Sequence, residues 1–239
     1  SGAVAVGWEA ARRATSALGP LAIGNRAMHF LTTGGYNTAV GQESMLYNTT
    51  GERNTVVGYH AGSRFQQYYS TAVGFHAGGY ATGSHNTFIG NEAGLGDNSA
   101  PYSSGEKNTA VGSEALKGFT SGYHNVAVGY QSLTSITTGH NNVAVGYGAL
   151  DSLTTADFTT AVGRGAGSNV TNGRFNTFYG YNAGGNSNAS HVVAIGYNVY
   201  GSGASNKSYG VYIGSNAGRY DTSGESTIAI GYNAVACDS

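Results

Sequence analysis

Apolar residues recur along this chain in short β-branched runs, each closed by a glycine. A small residue follows three positions later, and a polar stretch then leads to the next run. Asn108-Thr109-Ala110-Val111-Gly112 is typical, and Asn125-Val126-Ala127-Val128-Gly129 and Asn142-Val143-Ala144-Val145-Gly146 repeat it. Aligned on the glycine, the copies end at Gly7, Gly24, Gly41, Gly58, Gly74, Gly90, Gly112, Gly129, Gly146, Gly163, Gly180, Gly196, Gly214 and Gly231. Twelve of the thirteen intervals are 16 to 18 residues and one is 22, so the repeat organises the whole chain.

The columns are uniform in chemistry. Val or Ile precedes the glycine in every copy except the one with Tyr179. Two places before it stands Ala, replaced by Val56, Phe88, Phe178 and Tyr212. Runs this short favour strand over helix. Glycine supplies the turn, because it takes positive φ without strain. Thr-Thr-Gly segments such as Thr137-Thr138-Gly139 provide a return turn. A period of 17 residues is too short for a helical repeat or a propeller blade. The pattern predicts an all-β parallel β-solenoid of about fourteen coils over residues 1–239, one repetitive segment.

Alternation assigns the columns to faces. The Thr/Val column (three before the glycine) and the Val/Ile column share one face, read here as the coil interior. The Asn and Ala columns share the other. An outward face of alanines needs a cover, since strands apolar on both sides are buried on both sides. That reading predicts self-association through the alanines, with Phe88, Phe178, Tyr179 and Tyr212 where the coils widen or tilt. It also places Thr38, Thr55, Thr71, Thr87 and Thr109 inside, which weighs against an ice-binding array.

Composition narrows the function classes. Glycine makes up 40 of 239 residues and charged residues only 10%, yet the 40% hydrophobic content opposes disorder. A net charge of −1 offers nothing to nucleic acid or an anionic membrane, and no apolar stretch is long enough to span a bilayer. A single cysteine, Cys237, rules out an intrachain disulfide framework. Ser1 reads as a processed end without a signal peptide.

The repeats at Asn108–Gly112, Asn125–Tyr130 and Asn142–Tyr147 resemble two related groups. One is the head repeat of YadA-type trimeric autotransporter adhesins. The other is the Asn-Thr-Ala-Val-Gly-Tyr repeat of phage tail fibres that carry a C-terminal intramolecular chaperone. The resemblance implies a left-handed β-roll, three chains side by side as a homotrimeric fibre, and a virion or otherwise extracellular setting. The coil here is longer than the adhesin repeat and closer to the fibre group. Ser239 would fit the end left by chaperone self-cleavage. The implied partners are sister chains, other fibre or tail proteins, and a bacterial surface glycan or outer-membrane protein. An adhesin head and a pure spacer are the alternatives.

No catalytic motif is present, no cofactor is implied, and an enzyme is not expected. Glu9, Glu43, Glu92 and Glu114 share a column with Arg26, His60 and His76, which reads as a solvated ladder of mixed charge. Gly94-Leu95-Gly96-Asp97 resembles a calcium-binding turn but is not repeated, and no metal is assigned. Recognition is expected where the coils are irregular. The turn holding Arg64, Phe65, Tyr68 and Tyr69 and the insertion holding Asp97, Asn98 and Tyr102 are the first candidates. His124, Phe158 and Phe175, five before their glycines, are candidates for stacking on sugar rings.

Overall fold

A computed structural model describes residues 2–99, 101–185, 188–200, 208–221 and 226–235. Ser1, Cys237 and Ser239, and Ala100 of the insertion, lie outside the described residues. The chain forms two compact units, Ser1–His124 and Asn125–Ser239. The first holds β1 (Val4–Val6), β2 (Leu21–Ile23), β3 (Thr38–Val40), β4 (Thr55–Val57), β5 (Thr71–Val73), β6 (Thr87–Ile89) and β7 (Thr109–Val111). The second holds β8 (Val126–Val128), β9 (Val143–Val145), β10 (Thr160–Val162), β11 (Thr177–Tyr179), β12 (Val193–Ile195), β13 (Val211–Ile213) and β14 (Ile228–Ile230). In each unit successive strands pair in parallel and in chain order, the arrangement of a β-solenoid. The described residues contain no helix, and the fourteen strands delimit about thirteen turns.

Register follows the glycine alignment throughout. Across the 22-residue interval Thr87 still pairs with Thr109 and Ile89 with Val111, so the extra residues leave the coil as a loop. A parallel bridge from Ala81 to Ser103 closes its base. Each repeat glycine sits at φ near +130°, and its missing side chain makes room for the next coil. A Cβ on Gly146 would lie 2.5 Å from the Gly163 carbonyl oxygen.

The two faces are the reverse of those expected from the sequence. Ala22, Ala39, Ala72, Ala110, Ala127, Ala144, Ala161 and Ala194 are fully buried inside single-chain coils. The Asn column is buried with them and forms a ladder: Asn54 N donates to Asn37 Oδ1 at 3.0 Å, while Asn54 Nδ2 donates to the Gln67 carbonyl at 2.9 Å. Asn142 Nδ2 reaches the Ala156 carbonyl at 2.8 Å in the same way. An amide therefore replaces water for backbone groups that the narrow coil would otherwise orphan. The Thr/Val and Val/Ile columns point outward, with Val57, Ile89 and Ile195 exposed. Alanine is inside because the cross-section is narrow, and it needs no sister chain to cover it.

The large aromatic residues in the alanine column are each matched by a glycine. Where that column holds an aromatic ring, the position six residues later is glycine: Phe88 with Gly94, Phe178 with Gly184, Tyr212 with Gly218. A Cβ on any of these three glycines would collide with the ring. Where the column is Ala22, Ala39, Ala110, Ala127 or Ala144, the partner is Met28, Met45, Leu116, Leu133 or Leu150, all fully buried. Two coils are small at both places, Ala72 with Gly78 and Ala161 with Gly167, and side chains of the coils beside them fill the space: Phe65 and Phe88 at Gly78, Leu150 and Phe178 at Gly167. Interior volume is thus balanced between neighbouring coils, as close packing requires. Tyr179 is the exception to the original grouping, since it lies on the outward face at 59% exposure.

Candidate functional site

Irregular coils bring two of the proposed contact loops together. The Arg64 guanidinium lies 3.9 Å from the ring centroid of Tyr47 and 4.5 Å from that of Tyr102. Arg64 occupies the position six after its glycine, and so do Arg13, Phe30, Tyr47 and Tyr80. Phe30 stacks on Tyr47 at 5.4 Å, Arg13 lies over Phe30 at 4.7 Å, and Tyr102 adds its ring beside Tyr80 at 6.4 Å. The result is one continuous cation–aromatic stack on the surface of Ser1–His124. The 22-residue interval contributes to it by inserting Tyr102. Regular spacing of Arg13, Phe30, Tyr47, Arg64 and Tyr80 was the available signal for this stack.

The neighbours of Arg64 and Tyr102 differ in role. Phe65 is not a contact residue: it is 2% exposed, and its ring fills the space above Gly78, where a Cβ would lie 2.8 Å from Phe65 Cε1. The turn bends so that Arg64 faces out and Phe65 faces in. Tyr68 and Tyr69 are exposed. Tyr69 accepts a 2.7 Å hydrogen bond from Arg53 and stacks on His85 at 5.2 Å. Asp97 accepts from the Ser99 amide at 2.9 Å and hydroxyl at 2.8 Å, which holds its carboxyl below the usual range. It acts as the cap of its own turn, with Asn98 exposed at the tip.

His124 lines a cleft of about 250 Å³ with Tyr123, Lys107, Glu106, Ser104 and Ser121. The Tyr123 and His124 rings meet edge-on at 5.1 Å. His124 is held outward by its backbone, at φ 55° with its amide bonded to the Glu106 carbonyl at 3.1 Å. This left-handed conformation recurs at the same position as Tyr36, Arg53, Tyr69, Phe158 and Phe175 (φ 56–59°). It costs an L-residue about 1–2 kcal/mol and turns each side chain to the corner of the coil.

Phe158 and Phe175 lie in the other unit. Their rings stack at 5.2 Å and 3° and continue through His191 and Tyr209, each step 4.9 Å. Both are about half exposed. Phe175 has a ring stacked on each face and Phe158 has one, so the ladder itself covers most of the ring faces that a sugar would stack upon.

The charged column is a mixed ladder, as its composition implied. Glu43 pairs with Arg26 at 2.8 Å and with His60 at 2.6 Å, and Glu92 pairs with Lys117 at 2.6 Å. His60 and His76 stack at 5.0 Å. Among the described residues no group of three or more His, Cys, Asp or Glu is placed to hold a metal ion. No helix there is long and apolar enough to cross a membrane. Comparison of this chain with known protein families, with curated proteins and with solved structures finds no match.

Proposed function

We propose that this chain is a structural and receptor-binding segment of a phage tail fibre, a left-handed β-roll associated as a homotrimer and exposed on the virion. It attaches to a bacterial surface glycan or outer-membrane component and joins other fibre or tail proteins. The observation that carries the reading is the outward sheet face. Within Ser1–His124, Val57, Val73 and Ile89 stand exposed on successive strands, flanked by partly exposed threonines and by the exposed rings of Tyr59 and Phe75. Contiguous apolar surface of this kind marks an interface, and a repeating surface fits copies of itself best. The interface is thus formed by Val and Ile, in place of the alanines.

Recognition is assigned to side chains that the regular coils do not consume, with Arg64, Tyr102 and the His124 cleft as the leading surfaces. The chain acts by presentation and adhesion, without catalysis. Mass measurement in solution tests the assembly: three times the 24.4 kDa chain mass supports it, and a stable monomer sinks it.

One observation favours a second reading. Thr38, Thr55, Thr71, Thr87 and Thr109 face outward on five successive strands, the regular hydroxyl array that an ice surface would match. A monomer that produces thermal hysteresis would establish that reading in place of the fibre.

A further inference from the structure

The position two after the repeat glycine carries a side chain on every described coil but two. Gly148 and Gly165 occupy it on adjacent coils, while Gln131 and Asn182 occupy it on either side. The missing side chains leave a cleft of about 200 Å³ in the unit Asn125–Ser239. Tyr147 and Arg164, each preceding one of the glycines, line it together with Asp151, Ser168 and Asn182. A Cβ on Gly148 would meet only Asp151 Oδ2, at 3.5 Å, so this carboxylate borders the empty volume directly. A Cβ on Gly165 would collide with Asn182 Oδ1, so the carboxamide leans over the second glycine.

The polar groups around the cleft are incompletely used. Asp151 accepts from Ser152 Oγ at 3.2 Å and has no ion-pair partner among the described residues. Burial raises its pKa and outweighs the hydrogen bonds from the Ser152 hydroxyl and from the Ser152 and Asp151 amides, which act in the other direction. Arg164 is fixed by two rings, 5.3 Å from the Tyr147 centroid and 5.4 Å from that of Tyr181, and it donates to Tyr181 Oη at 2.9 Å. It makes no ion pair among the described residues. Acceptors and donors therefore surround a space the size of one sugar ring, and all stand on coils of regular spacing.

We infer that the cleft over Gly148 and Gly165 binds a single neutral pyranose unit of a glycan, its vicinal hydroxyls shared among Asp151, Asn182 and Arg164. This rests on the glycan-binding reading above and gives it a location outside the two irregular loops. A neutral sugar fits better than a charged one. Asp151 and Arg164 together leave the cleft with no net formal charge, and a hexuronate would set its carboxylate beside Asp151. A ligand of about a dozen non-hydrogen atoms with ordinary ligand efficiency binds on the order of millimolar.

The experiment titrates the whole chain with methyl glycosides of glucose, galactose, mannose, rhamnose and N-acetylglucosamine, followed by saturation-transfer NMR. At least one is expected to bind at millimolar concentration. Gly148→Gln should abolish that binding, and Asp151→Asn should weaken it at least fivefold. Gln131 already holds glutamine in this column at φ 52°, so the backbone accepts the first change, and circular dichroism checks it. No binding by any of the five overturns the inference. So does binding that survives Gly148→Gln, although that result leaves the glycan reading intact with its site elsewhere.

Discussion

Replacing Phe178 by alanine empties the middle of one coil, and replacing Gly184 by leucine at the same time refills it as five other coils are filled. Phe178 is 1% exposed. Its ring occupies the space over Gly184 and also over Gly167, where a Cβ would lie 2.9 Å from Phe178 Cδ2. Phe178→Ala alone should cost about 3–5 kcal/mol, the usual range for an emptied aromatic site. Gly184→Leu alone drives a side chain into the ring, costing about 1–3 kcal/mol for overpacking and about 1–2 kcal/mol for a non-glycine residue at φ +67°. Without coupling the double variant would lose the sum of these, roughly 5–10 kcal/mol.

The structure argues for strong coupling instead. Leu116, Leu133 and Leu150 sit at the equivalent position with φ of 49–55° and are completely buried. Leucine therefore reaches the interior from this backbone. One buried leucine returns about 1.5–3 kcal/mol and removes the overpacking, but the space over Gly167 stays open. The double variant should lose about 2–4 kcal/mol and be more stable than Phe178→Ala despite carrying a second change. Thermal unfolding by circular dichroism at fixed protein concentration gives the order of the midpoints. A double variant that melts below both single variants would refute volume balance within the coil.

Gly146→Ala should lower the midpoint more than any surface change, because the new Cβ meets the Gly163 carbonyl oxygen at 2.5 Å and no flexible group can yield. Val73→Lys with Ile89→Lys should convert the assembly to monomers with unchanged circular dichroism; sedimentation reads the mass, and intact trimers would exclude this face as the interface. Arg64→Ala should cost about 1–2 kcal/mol by removing the cation between Tyr47 and Tyr102, with Arg64→Lys recovering only part; equal midpoints would show that the stack contributes nothing. His76 is held below its ordinary pKa of 6.5, first by burial and then by His60, with Glu92 opposing. The unfolded chain therefore takes the proton first. Stability is complete above pH 6.5 and declines as the pH falls through the folded value. His76→Gln should remove this decline, and a wild-type gap that stays constant from about pH 7.5 to 5 would contradict it.

Much of the fold was legible because its determinants are periodic. Aligning the glycines predicted the register of every described strand pair, including the one that spans the insertion between Gly90 and Gly112. The candidate site was less legible. Phe65 and Tyr69 look alike in an aromatic turn, and only the bend at Arg64 decides that one is core and the other surface. Phe158 and Phe175 were visible as aromatic. That their faces would cover each other depends on parallel rungs, which turn equivalent rings into neighbours at 5.2 Å. The left-handed backbone at Leu116, Leu133 and Leu150 had only an indirect signature: the same column holds Gly62, Gly78, Gly94, Gly167, Gly184 and Gly218, and glycine favours that conformation. Leucine accepts the strain there because the position is entirely buried.

The inverted faces have a physical explanation. Alternation separates a strand into two sides but does not say which is inside, and both sides here are apolar. Size covariation breaks the tie. Residues sharing a closed interior must fill it together with those of the adjacent coils, whereas outward residues have no such constraint. Phe88, Phe178 and Tyr212 each face a glycine six places on, while five alanines in the same column face Met or Leu; Ala72 and Ala161 also face glycine, and there the rings of adjacent Phe88 and Phe178 enter the space. The Val/Ile column is nearly constant in size and points outward, so it shows no matching compensation. Read this way, the sequence does encode its inside, in the correlation between two columns and not in the hydrophobicity of either. The outward column keeps its β-branched residues without an internal partner to fit. That is what an interface repeated from coil to coil requires, and it is why Val73 and Ile89 are the positions where one added charge each should separate the chains.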